Sequence, residues 1–151
     1  MVRKMLALSV LMALAAACSS TSNQTKSSPT PSATGAVTGA VTATEKDFAI
    51  SVANANAKAG SVTFGVTNSG PSVHEFVVFK SDLAEDKLPM KADGTAVDEA
   101  GAGVTHIDEI ENIAKDATKT LTVTLAAGNY VLICNLPGHY KLGMHAKLSA
   151  A

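Results

Sequence analysis

The chain has 151 residues, of which 12 are basic and 13 are acidic. Two of the basic residues, Arg3 and Lys4, lie in an N-terminal segment that we expect to be removed, so the mature protein is more acidic still. Proteins that bind nucleic acid neutralise phosphates with clustered lysines and arginines. The charge balance therefore excludes nucleic acid as a partner, and the length predicts one modest folded domain.

Residues 1–17 have the pattern of a secretory leader. Arg3 and Lys4 precede an uncharged apolar run over residues 5–17, which is too short to span a bilayer comfortably. Small residues stand directly before Cys18, and this arrangement resembles the lipobox of bacterial lipoproteins. We predict a lipoprotein-type signal peptide with acylation of Cys18. Ordinary signal-peptidase cleavage after the same small residues is the alternative, and both imply export.

Residues 18–41 are dense in Ser, Thr, Ala, Gly and Pro, and Lys26 is their one charged residue. Such a segment cannot bury enough apolar surface to fold. We therefore predict a flexible linker that holds a domain over residues 42–151 off the membrane. This places the protein at the outer face of the cell membrane or in the periplasm, within reach of membrane-bound partners.

The chain has 2 cysteines, Cys18 and Cys134. Acylation of Cys18 would leave Cys134 as an unpaired thiol in an exported protein, where free thiols are readily oxidised. A disulfide between the two is the alternative, and it would place one cysteine in a linker. We therefore expect a bound metal ion, and not a disulfide, to protect the Cys134 thiol from oxidation.

Alternating apolar and polar residues, separated by Gly, Pro and Asn, predict several short strands. These cover residues 48–52, 62–66, 73–79, 121–125 and 130–134, the last two as a hairpin around residues 126–129. Residues 80–119 are polar and predict a long connection with one short helix near residues 83–88. Its acidic cluster, Asp108, Glu109 and Glu111, reads as a solvated edge. The fold class predicted is all-β, a Greek-key β-sandwich.

Near the C-terminus, Cys134, His139 and Met144 stand at intervals of five residues. They offer a thiolate, an imidazole and a thioether, all of which soft copper accepts. Residues 137–138, Pro-Gly, and Gly143 let the backbone turn back, so that these side chains converge although they are far apart on an extended strand. The spacing predicts a metal site in a loop.

A trigonal copper site needs a second histidine. His74 opens an apolar strand and can lie at the same end of the sandwich as Cys134, giving two imidazoles and one thiolate in a plane with Met144 as a weak axial ligand. His145 is adjacent to Met144 and competes with it for this assignment, although its side chain should point elsewhere. His106 lies beside acidic residues, and we assign it a solvated or local structural role.

A single upstream histidine followed by Cys-x4-His-x4-Met resembles the cupredoxins, with spacing similar to rusticyanin and sulfocyanin. The resemblance covers roughly residue 48 to the end. It implies a sandwich of eight or so strands, one copper ion cycling between Cu(I) and Cu(II), and electron transfer as the activity. The ligands implied are His74, Cys134, His139 and Met144.

Many cupredoxins have Asn directly after the upstream histidine, where it ties the two ligand loops together, whereas this chain has Glu75. We expect Asn135, directly after Cys134, to take over part of this bracing, since outer contacts orient metal ligands. Glu75 and Asn135 are therefore the predicted neighbours of the ligand set.

By the same resemblance, His139 would lie near the surface as the electron port. Leu136, Pro137 and Leu142 would surround it as an apolar docking patch for redox partner proteins at the membrane. Small transient surfaces of this kind suit weak redox complexes. The protein is expected to act as a monomer.

Two rival functions belong to other classes. A copper buffering or delivery protein without redox turnover remains the alternative, although such proteins favour open Met and His clusters. An oxidase is excluded, because multicopper enzymes flank the cysteine with histidines where this chain has Ile133 and Asn135. The total of 4 histidines also cannot furnish a trinuclear cluster. We predict that the protein is not an enzyme.

Overall fold

The computed structural model describes residues 39–151, and every regular element within them is a β-strand. The leader, Cys18 and the linker up to residue 38 lie outside the described residues. In chain order the strands are β1 Gly39–Lys46, β2 Ala49–Val52, β3 Asn56–Ala57, β4 Gly60–Asn68, β5 His74–Lys80, β6 Thr105–Ile113, β7 Thr118–Leu125, β8 Gly128–Ile133 and β9 His145–Ala150. The predicted all-β class is confirmed.

The strands form two sheets, with the orders β2-β1-β4-β7 and β3-β9-β8-β5-β6. The pairs β1–β4 and β3–β9 are parallel, and the other neighbours are antiparallel. Val41 and Phe64 of the first sheet share one apolar cluster with Phe76 and Leu132 of the second. The two sheets therefore pack face to face as a sandwich.

Strands β5 and β8 are buried on both faces. Phe76 and Val78 point into the core between the sheets, whereas Val77 and Phe79 belong to a second apolar cluster on the outer face of their sheet. Side chains of the connection over residues 81–104 cover this outer face. Because successive side chains of a strand point to opposite faces, burial on both sides explains the unbroken apolar run in β5.

The predicted helix near residues 83–88 is wrong. The chain there makes a single turn, closed by the hydrogen bond from the Lys87 amide to the Ala84 carbonyl at 2.9 Å. Pro89 follows directly, and proline disfavours the helical conformation of the residue before it. Among residues 39–151 no helix has the length and apolarity of a membrane span.

The predicted hairpin of residues 121–125 and 130–134 is also wrong, although both strands exist. β7 pairs with β4 in the first sheet, whereas β8 lies between β9 and β5 in the second. The turn between them carries the chain from one sheet to the other, and the Tyr130 hydroxyl donates to the Ala126 carbonyl across it at 2.7 Å. The two strands are adjacent in sequence, which predicted that they pair, but in the two-layer topology they belong to different sheets.

Strand β6 lies inside the region predicted as a connection. It is the edge strand of its sheet and exposes most of its side chains, including Asp108 and Glu111, so its apolar alternation is weak. Asn112 has a φ of 53° at a bulge opposite the start of β5. At the other end of the domain, β1 begins at Gly39, before the predicted domain start at residue 42.

Candidate metal centre

Two of the predicted ligands lie at the same end of the second sheet. Cys134 directly follows β8, and His74 is the first residue of β5. These strands are antiparallel neighbours, with Val77 paired to Ile133. The start of one strand therefore lies beside the end of the other, as expected from the sequence.

The loop after Cys134 closes on itself. The Met144 amide donates to the His139 carbonyl, and the Cys134 amide donates to the Met144 carbonyl, both at 3.1 Å. Gly138 and Gly143 have φ of 84° and 115°, and side chains other than glycine adopt such angles only with strain. The two glycines therefore allow the return that brings the three residues together.

Three donor atoms face one another in this loop region. The Cys134 Sγ lies 3.4 Å from His139 Nδ1 and 3.9 Å from His74 Nδ1, and the two Nδ1 atoms are 3.3 Å apart. The Met144 side chain is fully buried and belongs to the same core cluster as Cys134. The sulfur and the two nitrogens surround a common centre, which is the arrangement that a small soft cation requires.

The protonation chemistry of the donors fits a cation. Burial raises the pKa of the Cys134 thiol to about 11, although hydrogen bonds from the backbone amides of Leu136 and Glu75 lower it. Burial, together with the neighbouring His74, lowers the pKa of His139, which favours the neutral imidazole that a metal needs. A thiol this basic becomes a thiolate at neutral pH only beside a positive charge.

Asp47 orients His74, and sequence reasoning missed it. Its Oδ1 lies 2.9 Å from His74 Nε2 and accepts a hydrogen bond from that nitrogen. The Ser72 hydroxyl donates to the other carboxylate oxygen and is the main cause of the lowered pKa of Asp47, to which His74 also contributes. With Nε2 engaged, the lone pair of Nδ1 is directed to Cys134. Asp47 lies between β1 and β2, so no local motif connects it with the ligands.

The two predicted neighbours of the ligand set have different contacts. Glu75 contributes its backbone amide, which donates to Cys134 Sγ at 3.4 Å. Asn135 accepts a hydrogen bond from the Val97 amide at 2.7 Å and donates to Glu99 at 2.7 Å. Its hydrogen bonds therefore run to the connection over residues 81–104 and not to the strand that bears His74.

His145 points away from the three donors, as expected. Its ring packs against that of Tyr140, with centroids 5.5 Å apart. It also lines a cavity of about 300 Å³ together with Asp86 and Leu88. This leaves the thioether of Met144, on the core side of the loop, as the candidate for a fourth ligand.

His139 is the one half-exposed member of the cluster of His74, Cys134 and His139. Phe48, 39% exposed, meets its ring edge-on at 5.1 Å. Leu142 is 59% exposed and donates its amide to the His139 carbonyl. Apolar side chains thus lie at the surface next to His139, and sequence reasoning missed Phe48 among them.

Two carboxyls with raised pKa values belong to the same end of the sandwich, Glu45 fully buried and Glu75 half-buried. Burial, reinforced by Glu75, raises the pKa of Glu45 to about 8, and both oxygens of Glu45 lack a hydrogen-bond partner among the described residues. Burial, reinforced by Glu109 and Glu99, raises the pKa of Glu75 to about 7. The ionisation of these two carboxyls is suppressed, whereas Asp47 beside His74 has a lowered pKa.

This sandwich, with a thiol and two imidazoles around one point, defines the protein as a cupredoxin that binds one copper ion. The sulfocyanin (SoxE) domain matches residues 51–151, and the chain belongs to that family. A comparison with curated protein sequences gives no match. The predicted resemblance to cupredoxins is confirmed.

Solved structures share the fold. Auracyanin from Roseiflexus castenholzii is 21% identical, with a TM-score of 0.51 over 78% of this chain and 99% of that one. Auracyanin A from Chloroflexus aurantiacus is 22% identical, with a TM-score of 0.52 over 74% and 98%. Rusticyanin from Thiobacillus ferrooxidans is 19% identical, with a TM-score of 0.54 over 76% and 78%. At these identities the comparison supports the sandwich fold alone.

Proposed function

We propose that the protein is an exported one-electron carrier whose copper is held by His74, Cys134, His139 and Met144. The observation that carries the proposal is the convergence of one sulfur and two Nδ1 atoms, all within 4.8 Å of one another. Copper bound by a thiolate, two imidazoles and a weak thioether supplies one-electron chemistry with little change in coordination between its oxidation states.

The protein's own contribution is to hold the ligands rigidly and dry. His74 is fixed by Asp47 and by its place at the start of a buried strand. Cys134 and Met144 lie in the apolar core, which excludes water from the sulfur atoms. Ligands held in this way need little rearrangement when the charge changes.

His139 is the proposed electron port. Its half-buried ring lies at the surface beside Phe48 and Leu142, so a redox partner docking there approaches the ligand set directly. Weak redox complexes use small surfaces and separate rapidly. Catalysis is not proposed, because Ile133 and Asn135 flank Cys134 in place of the histidines of multicopper enzymes.

The proposed location rests on the leader sequence. Acylation of Cys18 would anchor the carrier at the outer face of the membrane, with redox partners of the membrane within reach. A Cys18→Ser variant is then expected in the soluble fraction of the cell envelope while the unaltered protein sediments with membranes. Equal distribution of both proteins would favour ordinary signal-peptidase cleavage.

The spectrum of the Cu(II)-loaded protein tests the site. We expect an intense visible thiolate-to-copper band and a narrow copper hyperfine splitting, both lost in Cys134→Ala. His145→Asn is the matched control, since its side chain points away from the donors, and it should keep both signals. A colourless complex with an ordinary tetragonal copper signal, unchanged in Cys134→Ala, would contradict electron transfer and favour copper buffering or delivery.

A further inference from the structure

A second set of side chains of metal-ligating types lies outside the candidate copper centre. Glu99, His106 and Glu109 each offer one ligand atom, and these three atoms lie within 4.8 Å of one another. His106 Nε2 is 3.9 Å from Glu99 Oε2 and 3.6 Å from Glu109 Oε2. Glu99 comes from the connection, and the other two come from the edge strand β6.

Two of the three side chains, Glu99 and His106, are oriented by neighbours outside the set. Asn135 donates to Glu99 Oε1 at 2.7 Å, so the other oxygen faces His106. The ring of His106 packs against Phe79, with centroids 5.7 Å apart and an interplanar angle of 69°. Such outer contacts are what fix ligand side chains at metal sites.

The cluster also concentrates uncompensated negative charge. The carboxyl of Glu75 is hydrogen-bonded to that of Glu109, and Glu99 and Glu111 act on it electrostatically. In the part of the chain that the structure describes, no lysine forms an ion pair with these carboxylates. Close carboxylates whose one basic neighbour is a histidine, with no lysine or arginine paired to them, attract a cation.

We propose that Glu99, His106 and Glu109 bind a second divalent cation of the zinc class. One imidazole and two carboxylates are ligands that Zn²⁺ accepts, and three protein ligands leave a coordination position for water. The site has no sulfur donor and differs in this from the copper centre. Asn135 links the two sites, because it follows Cys134 and bonds to Glu99.

Calorimetric titration of the copper-loaded protein with Zn²⁺ tests the proposal. We expect one equivalent of Zn²⁺ bound per copper-loaded protein, with the visible copper band still present at the end of the titration. The band shows that the added zinc has not displaced copper, so failure of the second site is distinguishable from failure of the copper centre.

Variants identify the ligands. His106→Asn and Glu109→Gln should each abolish the one-to-one binding of Zn²⁺ and keep the copper band, which shows that they are folded. Asp108→Asn is the matched control. It removes a neighbouring carboxylate whose exposed side chain accepts a hydrogen bond from the Glu109 amide and is not one of the three proposed ligands. This variant should bind Zn²⁺ as the unaltered protein does. The proposal is overturned if the unaltered protein binds no Zn²⁺ or if binding persists in both ligand variants. It is also overturned if several weak equivalents bind, which would indicate an adventitious ion only.

Discussion

Among single residues, Asp47 shows how a side chain distant in sequence orients a proposed metal ligand, His74. It lies in the turn between β1 and β2, and its contact with His74 depends on Ser72, which holds the carboxylate. The carboxylate fixes the tautomer of His74 and adds negative charge next to it. The tautomer leaves Nδ1 free to bind copper, and the negative charge favours the more highly charged Cu(II) over Cu(I).

Replacing Asp47 by Asn should weaken Cu(II) binding and raise the reduction potential. Loss of an outer hydrogen-bond partner typically costs about 10–100-fold in metal affinity. Competitive Cu(II) titration and redox potentiometry measure the two effects. Asp86→Asn is the control, since Asp86 pairs with the exposed Lys87. A reduction potential and a Cu(II) affinity equal to those of the control would show that Asp47 does not influence the copper site.

Glu45 is a second single residue with a large expected effect. It is fully buried, and its pKa is raised from 4.5 to about 8 by burial and by Glu75. The folded protein therefore binds a proton at Glu45 that the unfolded chain releases above about pH 4.5. Stability from this group is lost as the pH rises from 4.5 to 8 and changes no further above pH 8.

We expect Glu45→Gln to remove this loss. The unfolding free energy of Glu45→Gln minus that of the unaltered protein should grow by about 1.4 kcal/mol per pH unit in this window. Urea denaturation of the copper-loaded proteins between pH 5 and 8 measures it, and protons released at the copper ligands cancel in the difference. Asp116→Asn, at an exposed position beside Lys115, should leave the slope unchanged. A flat difference for Glu45→Gln would show that the carboxyl ionises freely in the folded state.

At the scale of elements, the connection over residues 81–104 completes the second sheet. It covers the outer side of β5 and β8, the strands that carry His74 and lead to Cys134. Tyr140 of the ligand loop holds this connection, because its hydroxyl accepts from the Leu88 amide and donates to the Glu85 carbonyl, both at 2.9 Å. The loop that follows Cys134 and the connection over residues 81–104 therefore stabilise each other.

Tyr140→Phe should loosen the connection. Leu88 is buried, and its amide would lose its partner, which costs about 1–3 kcal/mol. Denaturation gives the loss, and hydrogen exchange at the Leu88 amide locates it. Tyr130→Phe, which removes a hydrogen bond to the carbonyl of the exposed residue Ala126, should leave Leu88 protected. Unchanged exchange at Leu88 in Tyr140→Phe would contradict this account.

For the whole molecule, the proposed copper centre lies at one end of the sandwich, and the half-buried His139 lies at the surface there. Exposed Phe48 and Leu142 accompany His139. An apolar surface around a half-exposed ligand suits two molecules that meet briefly and exchange an electron. Electron self-exchange between the Cu(I) and Cu(II) forms is the simplest such reaction, because both molecules present this same surface.

We expect Leu142→Glu to slow self-exchange by about tenfold or more, since two like charges would meet in each encounter and a factor of ten needs only about 1.4 kcal/mol. NMR line broadening in mixtures of the two oxidation states measures the rate. Leu83→Glu adds the same charge at a position 38% exposed in the connection and should have little effect. Equal slowing in both variants would indicate net charge and not docking as the cause.

Part of the fold was readable because strands buried on both faces leave a strong local signal. The inner strands β1 and β9, which keep exposed or half-buried residues, were not predicted. β5 and β8 were predicted nearly to their ends, since residues buried on two faces must be apolar. β6 was not, because an edge strand with an exposed face keeps charged residues such as Asp108 and Glu111. The wrong hairpin shows that local signals locate strands and not their partners.

The sequence by itself determined the fold class and the three clustered candidates Cys134, His139 and Met144, because their spacing and the glycines of the loop act over a few residues. Tertiary structure decided what depends on distant segments. It brought Asp47 to His74, turned Asn135 toward the connection, and assembled Glu99, His106 and Glu109 from separate elements. Contacts of this kind arise when two sheets and a long connection pack together, and no local pattern encodes them.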